Sequence, residues 1–429
     1  MRFLPRIASL ALCAAIPACA IAQGPASDVH ATIHATADAT TRAPVTILIS
    51  IDGFRADYLD RGETPVLSGL AKGGVHAAMR PSFPSKTFPN HWALVTGKVP
   101  DHNGIVGNTM RDPARPGETF KMANDDPFWW NEASPIWVDA EKAGIRTATM
   151  FWPGANVAWG GTMTQDSHHT VTGGTRPRDW QQFNQAVSSQ QRINAVLDWL
   201  RRPAAIRPTF VTLYFDTVDT AGHAHGPNAP ETNAAIAEID RQIGMLRDGL
   251  ATLGQPANLV IVADHGMAAT SAERVIRLDT IADPADFETS ETGPFAAIYP
   301  VAGHEAALDK ALLRHQDHMQ CWRKDQIPAR LHYGSNPRVA PYFCLADVGW
   351  LVLDKAPKAG DNGGAHGYDN ASPEMAALFI ANGPAFTHHQ TLKPFDNVDV
   401  EPLLRDVLGM PAASGIDGND APFQGALKR

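Results

Sequence analysis

"VTILISIDGF", residues 45–54, runs through seven residues, all apolar or β-branched but Ser50, and breaks off on Asp52 and Gly53. A run this short and this rich in Val and Ile, bounded by turn residues, predicts a strand buried on both faces. Three further runs share the pattern: Thr209–Phe215, Leu259–Val262 and Ala376–Ile380. Between two of them, Ile236, Ile239, Ile243, Leu246 and Leu250 form one apolar stripe of helical period, opened by Pro230 and closed by Gly254. Strand and helix alternate, which predicts an α/β fold with a mostly parallel central sheet flanked by helices. In such sheets ligands bind beyond the carboxyl ends of the strands.

Three stretches break that rhythm: about 112–134, 153–187 and 280–364. They are rich in Pro, Gly and aromatic residues or carry cysteines, and read as insertions over the site. The chain has 429 residues, 44% hydrophobic and 19% charged, enough to bury a sizeable core. A formal charge of -9 excludes a broad basic surface for duplex nucleic acid, so an anionic ligand must be met locally.

The predicted strands end on groups that bind metals. Asp52 follows the first run; Asp219 and His223 stand in "FDTVDTAGHAHG"; Asp264 and His265 stand in "VADHGM"; His366, in "GGAHGYDN", precedes the last run. Taken singly, each aspartate reads as readily as a helix cap or turn residue. Together, three carboxylates and three imidazoles suit Zn²⁺ and suffice for two sites. Thr87, in "PSFPSKTFPNHWALVTG" (81–97), sits where a Pro-rich turn meets a helical run. It reads as a helix cap or as a nucleophile, and the second role needs a metal ion or a helix N-terminus to stabilise the alkoxide.

"DGFRADYL", "PSFPSKTFPNHWALVTGKVPDHNGIVGN", "DTVDTAGHAHGP", "ADHGM" and "GAHGYDN", in this order, resemble the nucleotide pyrophosphatase/phosphodiesterase family of the alkaline phosphatase superfamily. The resemblance implies an alkaline-phosphatase-like catalytic domain over 43–429 and two Zn²⁺. Asp219, His223 and His366 would hold one ion; Asp52, Thr87, Asp264 and His265 would hold the other. It further implies that Thr87 forms a covalent phosphothreonine, and that Asn108 joins the Thr87 amide in binding a phosphate oxygen. Phe88 resembles one wall of a nucleobase slot. The opposite wall departs from the family pattern: "TRPRDWQQFN" has Asp179 where a tyrosine is expected, with Trp180 beside it. The expected substrate is a small phosphodiester such as a nucleotide. A choline-type lipid phosphodiester, and a phosphomonoesterase or phosphonate hydrolase of the same superfamily, are the alternatives.

The N-terminus, "MRFLPRIASLALCAAIPACAIAQGP", reads as a cleaved signal over 1–22, followed by a linker over 23–42. The mature chain is then expected in the periplasm or secreted, with no transmembrane segment; lipid anchoring at Cys19 is the lesser alternative. The two cysteines left, Cys321 and Cys344, are expected to form a disulfide in that compartment, the alternative being two buried thiols.

Overall fold

The computed structural model describes residues 42–164, 169–357 and 362–428. The predicted signal and nearly all of the linker lie outside these residues. Residues 42–429 form one compact unit.

The opening run is a strand, β1 (Val45–Ile51), with every residue buried. The other strands of the central sheet, in chain order, are β2 (Val75–Arg80), β3 (Thr147–Met150), β4 (Asp179–Trp180), β5 (Phe210–Phe215), β6 (Ala257–Val262), β7 (Ala377–Asn382) and β8 (Gln390–Thr391). Their spatial order is β8-β2-β7-β6-β1-β5-β3-β4, and Phe395–Asp396 also pairs with β2. Pairing is parallel throughout, except that β7 runs antiparallel to both its neighbours. This exception explains why His366 precedes its strand while the other predicted ligands follow theirs. The start of a reversed strand lies at the same edge of the sheet as the ends of the others.

Because β1, β5 and β6 are buried on both faces, each face needs a cover. Helices α1 (Pro65–Gly73), α4 (Ser189–Arg201) and α6 (Pro230–Thr252) pack together as one layer. Helices α2 (Thr87–Thr96), α3 (Ile136–Lys142) and α7 (Val400–Leu408) pack as the other. Helix α6 carries the predicted stripe, with Ile236, Ile239, Ile243, Leu246 and Leu250 all buried. Helix α5 (Thr217–His225) is short and leaves the end of β5 toward the site.

The third interruption contains a small antiparallel sheet of Phe287–Glu291, Phe295–Pro300, Tyr342–Ala346 and Met319–Arg323, in that spatial order. Cys321 and Cys344 face each other across it and are joined by a disulfide. No helix among the described residues is long and apolar enough to cross a membrane.

Candidate active site

The edge where β1, β5 and β6 end brings the predicted ligands together. Asp52 extends the β1–β5 pairing by one bond, its N–H donating to Phe215 O at 2.9 Å, and the chain then turns at Gly53. Gly53 has φ +69°, and a Cβ there would stand 3.0 Å from the Cα of Asp219. Only glycine allows both the left-handed turn and that approach. Its N–H donates to Asp264 Oδ1 at 3.2 Å, which ties the ends of β1 and β6 together.

Six side chains gather into two clusters: Asp52, Asp264 and His265, and Asp219, His223 and His366, with the donor atoms of each cluster within 4.8 Å of one another. Asp219 and His223 share one face of α5 because they are four residues apart. His366 is carried by the segment after Gly363–Ala365, which pairs with Ala268–Thr270 just beyond His265. The rings of His265 and His366 stack at 3.4 Å, so the clusters adjoin.

Each imidazole is anchored through Nδ1 to a main-chain carbonyl: His223 to Gly364 at 2.8 Å, His265 to Gly266 at 2.9 Å, and His366 to Ser85 at 2.9 Å. With Nδ1–H donating there, Nε2 of each ring is left as a lone-pair donor, the arrangement metal-ligating histidines adopt. The Nε2 atoms of His223 and His366 stand 3.1 Å apart. One oxygen of each aspartate, Asp52 Oδ1, Asp219 Oδ1 and Asp264 Oδ2, is buried without a hydrogen-bond partner. These oxygens face the same nitrogens, at 2.9 Å for Asp264 and His265, 3.5 Å for Asp52 and His265, and 3.5 Å for Asp219 and His223. Buried carboxylate oxygens beside imidazole lone pairs are a donor set that a dication satisfies.

The electrostatics agree. Burial, with Asp264 and Asp219 close by, pushes the Asp52 carboxyl well above its usual range, and burial likewise raises Asp219. Burial opposes ionisation of Asp264 as well, but His265 and His91 outweigh it and hold that carboxyl low. Burial keeps His366 neutral, well below its ordinary value. A bound cation would reverse the penalty on the two raised carboxylates.

Thr87 is the first residue of α2; the N-cap position falls to Lys86, whose side chain caps nothing. Thr87 Oγ1 instead lies 3.3 Å from His265 Nε2. The last two residues of "TFPNH" hold it there. Asn90 Nδ2 donates to the carbonyls of Pro84 and Lys86, closing the Pro-rich turn. His91 bridges Thr87 O and Ser50 Oγ at 2.8 Å each. Both its ring nitrogens are thereby engaged, so it serves as a strut between α2 and β1. Asn108 Oδ1 accepts the Phe88 N–H at 2.9 Å and caps the helix from outside. This leaves the Asn108 NH₂ group to meet a ligand.

Phe88 is half-buried against Phe120 and Trp130, with ring centroids 6.2 and 5.9 Å away. Trp180 lies on the edge strand β4, with Arg176 over its ring at 5.2 Å. Among the described residues no ring contact joins it to Phe88. Phe183, a little further along, is exposed and packs on Tyr214 at 5.6 Å. Sequence reasoning missed Tyr214, whose hydroxyl donates to Asp52 Oδ2 at 2.7 Å; it read only as one residue of a buried strand. The carbonyls of Ser85, Gly266 and Gly364 that aim the imidazoles carry no sequence signal, because any residue supplies a carbonyl.

A family described as type I phosphodiesterase / nucleotide pyrophosphatase matches residues 46–369. An uncharacterized pyrophosphatase/phosphodiesterase of Schizosaccharomyces pombe is 38% identical over 408 residues, covering 89% of this chain and 79% of its own. The bis(5'-adenosyl)-triphosphatase ENPP4 of Bos taurus is 38% identical over 377 residues, covering 86% of this chain and 78% of its own. Ectonucleotide pyrophosphatase/phosphodiesterase family member 1 of Mus musculus is longer: the match, 35% identical, covers 90% of this chain but 43% of that protein. Among solved structures, human ENPP5 superposes with a TM-score of 0.83 at 32% identity, covering 90% of this chain and 100% of that one. Murine ENPP5, as an inactive variant in complex with AMP, gives 0.82 at 33% identity, with the same coverage of both chains. The match spans the strand ends that carry both clusters, and this chain belongs to the type I phosphodiesterase / nucleotide pyrophosphatase family.

Proposed function

We propose that this chain is an exported hydrolase of phosphate diesters and pyrophosphates, such as nucleotides, working through a phosphothreonine at Thr87 with two Zn²⁺. The observation that carries the reading is the position of Thr87: at a helix N-terminus, its Oγ1 3.3 Å from His265 Nε2, beside three buried carboxylate oxygens that lack hydrogen-bond partners. Asp219, His223 and His366 would hold one ion; Asp52, Asp264 and His265, with Thr87, would hold the other. When bound, Zn²⁺ supplies positive charge that favours the ionised threonine and the departing oxygen.

Thr87 Oγ attacks phosphorus, the bond to the leaving oxygen breaks in line, and the threonine ester is then hydrolysed to release a monoester. The Asn108 NH₂ and the Thr87 amide, in the first turn of α2 where helical amides lack intrahelical partners, hold a non-bridging oxygen. A diester carries a single negative charge, so these neutral donors suffice. Phe88, braced by Phe120 and Trp130, lines the approach for an apolar substituent.

The reading includes residues 1–22 as an export signal and 43–429 as one catalytic domain. The Cys321–Cys344 disulfide fits an oxidising compartment. Rates on a p-nitrophenyl nucleotide diester, p-nitrophenyl phosphate and p-nitrophenyl phosphocholine, measured side by side, test the proposal. The nucleotide diester is expected to give the highest kcat/KM, and a faster phosphate monoester would overturn the diesterase reading.

A further inference from the structure

The strand Phe287–Glu291 pairs with Phe295–Pro300 in regular register from Phe287↔Pro300 to Thr289↔Ile298; the register then slips, and Glu291 faces Ala297 with Ser290 left over. Residues three apart on an unbroken strand project from opposite faces. One extra residue resets the alternation and re-aims the side chains beyond it. The bulge thus brings Glu288 and Glu291 to the same side, and both meet the segment that holds Asn108. Glu288 Oε2 lies 2.8 Å from Arg111 Nη2. Glu291 Oε1 lies 3.2 Å from Lys86 Nζ, while its Oε2 accepts the Thr109 N–H at 3.4 Å. A Cβ on Gly107 would come within 3.1 Å of that same oxygen. The carboxylate therefore sits against residues on both sides of Asn108 and against the neighbour of Thr87.

Lys86 and Arg111 are the cations next in sequence to Thr87 and close to Asn108, and each is matched by a carboxylate from this bulged strand. The Lys86–Glu291 pair is nearly enclosed, with side-chain exposures of 14% and 11%, so solvent screens it weakly. Arg111–Glu288 is open to water, at 35% and 63%, and is screened more.

Resting on the diester reading above, we infer that Glu291 is a specificity-determining residue that cancels the Lys86 charge beside the nucleophile and so disfavours phosphate monoester dianions. A monoester brings one more negative charge than a diester, and an unpaired ammonium would stabilise it. Glu291 acts through Lys86 and the Thr109 amide, as a positioning residue.

The isosteric substitution Glu291→Gln tests this in the full-length protein with zinc present. It should raise kcat/KM for p-nitrophenyl phosphate by about tenfold, the order expected of one weakly screened charge, and change that for a p-nitrophenyl nucleotide diester by less than about threefold. Competitive inhibition by inorganic phosphate should tighten in parallel. Adding Lys86→Met to Glu291→Gln should return the ratio of the two rates toward wild type. Lys86→Met alone, which leaves a bare carboxylate, should move the ratio the opposite way and provides the test if Glu291→Gln does not fold. An unchanged ratio in Glu291→Gln, or a raised ratio that persists after Lys86→Met, would overturn the inference. A wild-type protein that itself prefers the monoester would instead defeat the diester reading, so the two failures are distinguishable.

Discussion

The side chains of Asp52, Asp264 and His265 are enclosed to within 2% of full burial, whereas 43% of the His223 side chain in the neighbouring cluster faces solvent. The enclosed cluster grows directly from the ends of β1 and β6, two hydrogen-bonded strands at the centre of the sheet. The open one combines a short helix, α5, with His366 from a segment beyond a two-stranded ribbon. Strand ends set positions to the accuracy of the sheet, which suits a group that must hold the nucleophile's partner still. A helix face and a loop leave room for a substrate to enter and a product to leave. The enclosed cluster is the one that Thr87 Oγ1 approaches, and the open one is the one that faces solvent.

The largest expected effect tests the enclosed side. Thr87→Ala should lower turnover by at least about a thousandfold, because it removes the hydroxyl proposed to form the ester. It should leave metal content intact, since the six Asp and His side chains remain. Turnover near wild type would break the covalent reading, and loss of metal would show that Thr87 is needed to hold an ion. Asn108→Ala comes next. Loss of one oxyanion donor should cost about 2–4 kcal/mol in the chemical step. Since Asn108 Oδ1 also caps Phe88 N–H, a melting curve is needed beside the kinetics. A drop in melting temperature with unchanged kcat would reassign Asn108 to a purely structural role.

Four strands of the central sheet, the stripe on α6 and the six Asp and His groups that gather at one edge were legible in the sequence, and the strands, with Asp52 and Asp264 just past their ends, were so for one physical reason. A strand buried on both faces must be apolar, and it must stop at a polar residue where it reaches the crevice. Residues that depend on long-range register were not legible. The reversed direction of β7 is set by its partners β2 and β6, which are far away in sequence. The role of Glu291 depends on a bulge opposite Ile298 and Ala297 and on a lysine some two hundred residues earlier. The stretch read as an insertion over 280–364 holds its own four-stranded sheet, whose short strands lack the long apolar runs that marked the core. Strands β2 and β3 were missed as well: one is Ala-rich and the other is four residues long.

The next prediction sharpens the contrast through stability. Asp52 titrates above its unfolded value because of burial, with Asp264 and Asp219 adding to it. For such a group, stability is fully present below the unfolded pKa and is lost as pH rises through the folded one. In metal-free protein at pH 8, Asp52 therefore weakens the fold. Asp52→Asn, which can still accept from Tyr214, should melt higher than wild type in EDTA and lower than wild type in zinc, with turnover abolished. If the variant melted lower in EDTA as well, the carboxylate would be contributing to the apo fold.

Asp399 provides the smallest effect and the control, a carboxylate raised by burial that belongs to neither ligand cluster found among the described residues. Its side chain accepts from Asn419 N–H at 2.9 Å and from Asn419 Nδ2 at 3.2 Å. Burial pushes it up to about 6, the Asn419 bond pulling the other way. The sign is the same as for Asp52: stability is present below the ordinary carboxylate range and lost as pH rises through about 6. An asparagine keeps an acceptor for Asn419 and cannot ionise. Asp399→Asn should therefore stabilise by roughly 1 kcal/mol at pH 8 once partial solvent screening is discounted, with little change near pH 4. For a chain this long that is about 1–2 °C in melting temperature. The gain should be the same in zinc and in EDTA, whereas the Asp52 variant should reverse sign between them. That reversal separates a carboxylate buried for a metal from one buried by packing, and an Asp399 variant that also reversed would remove the distinction.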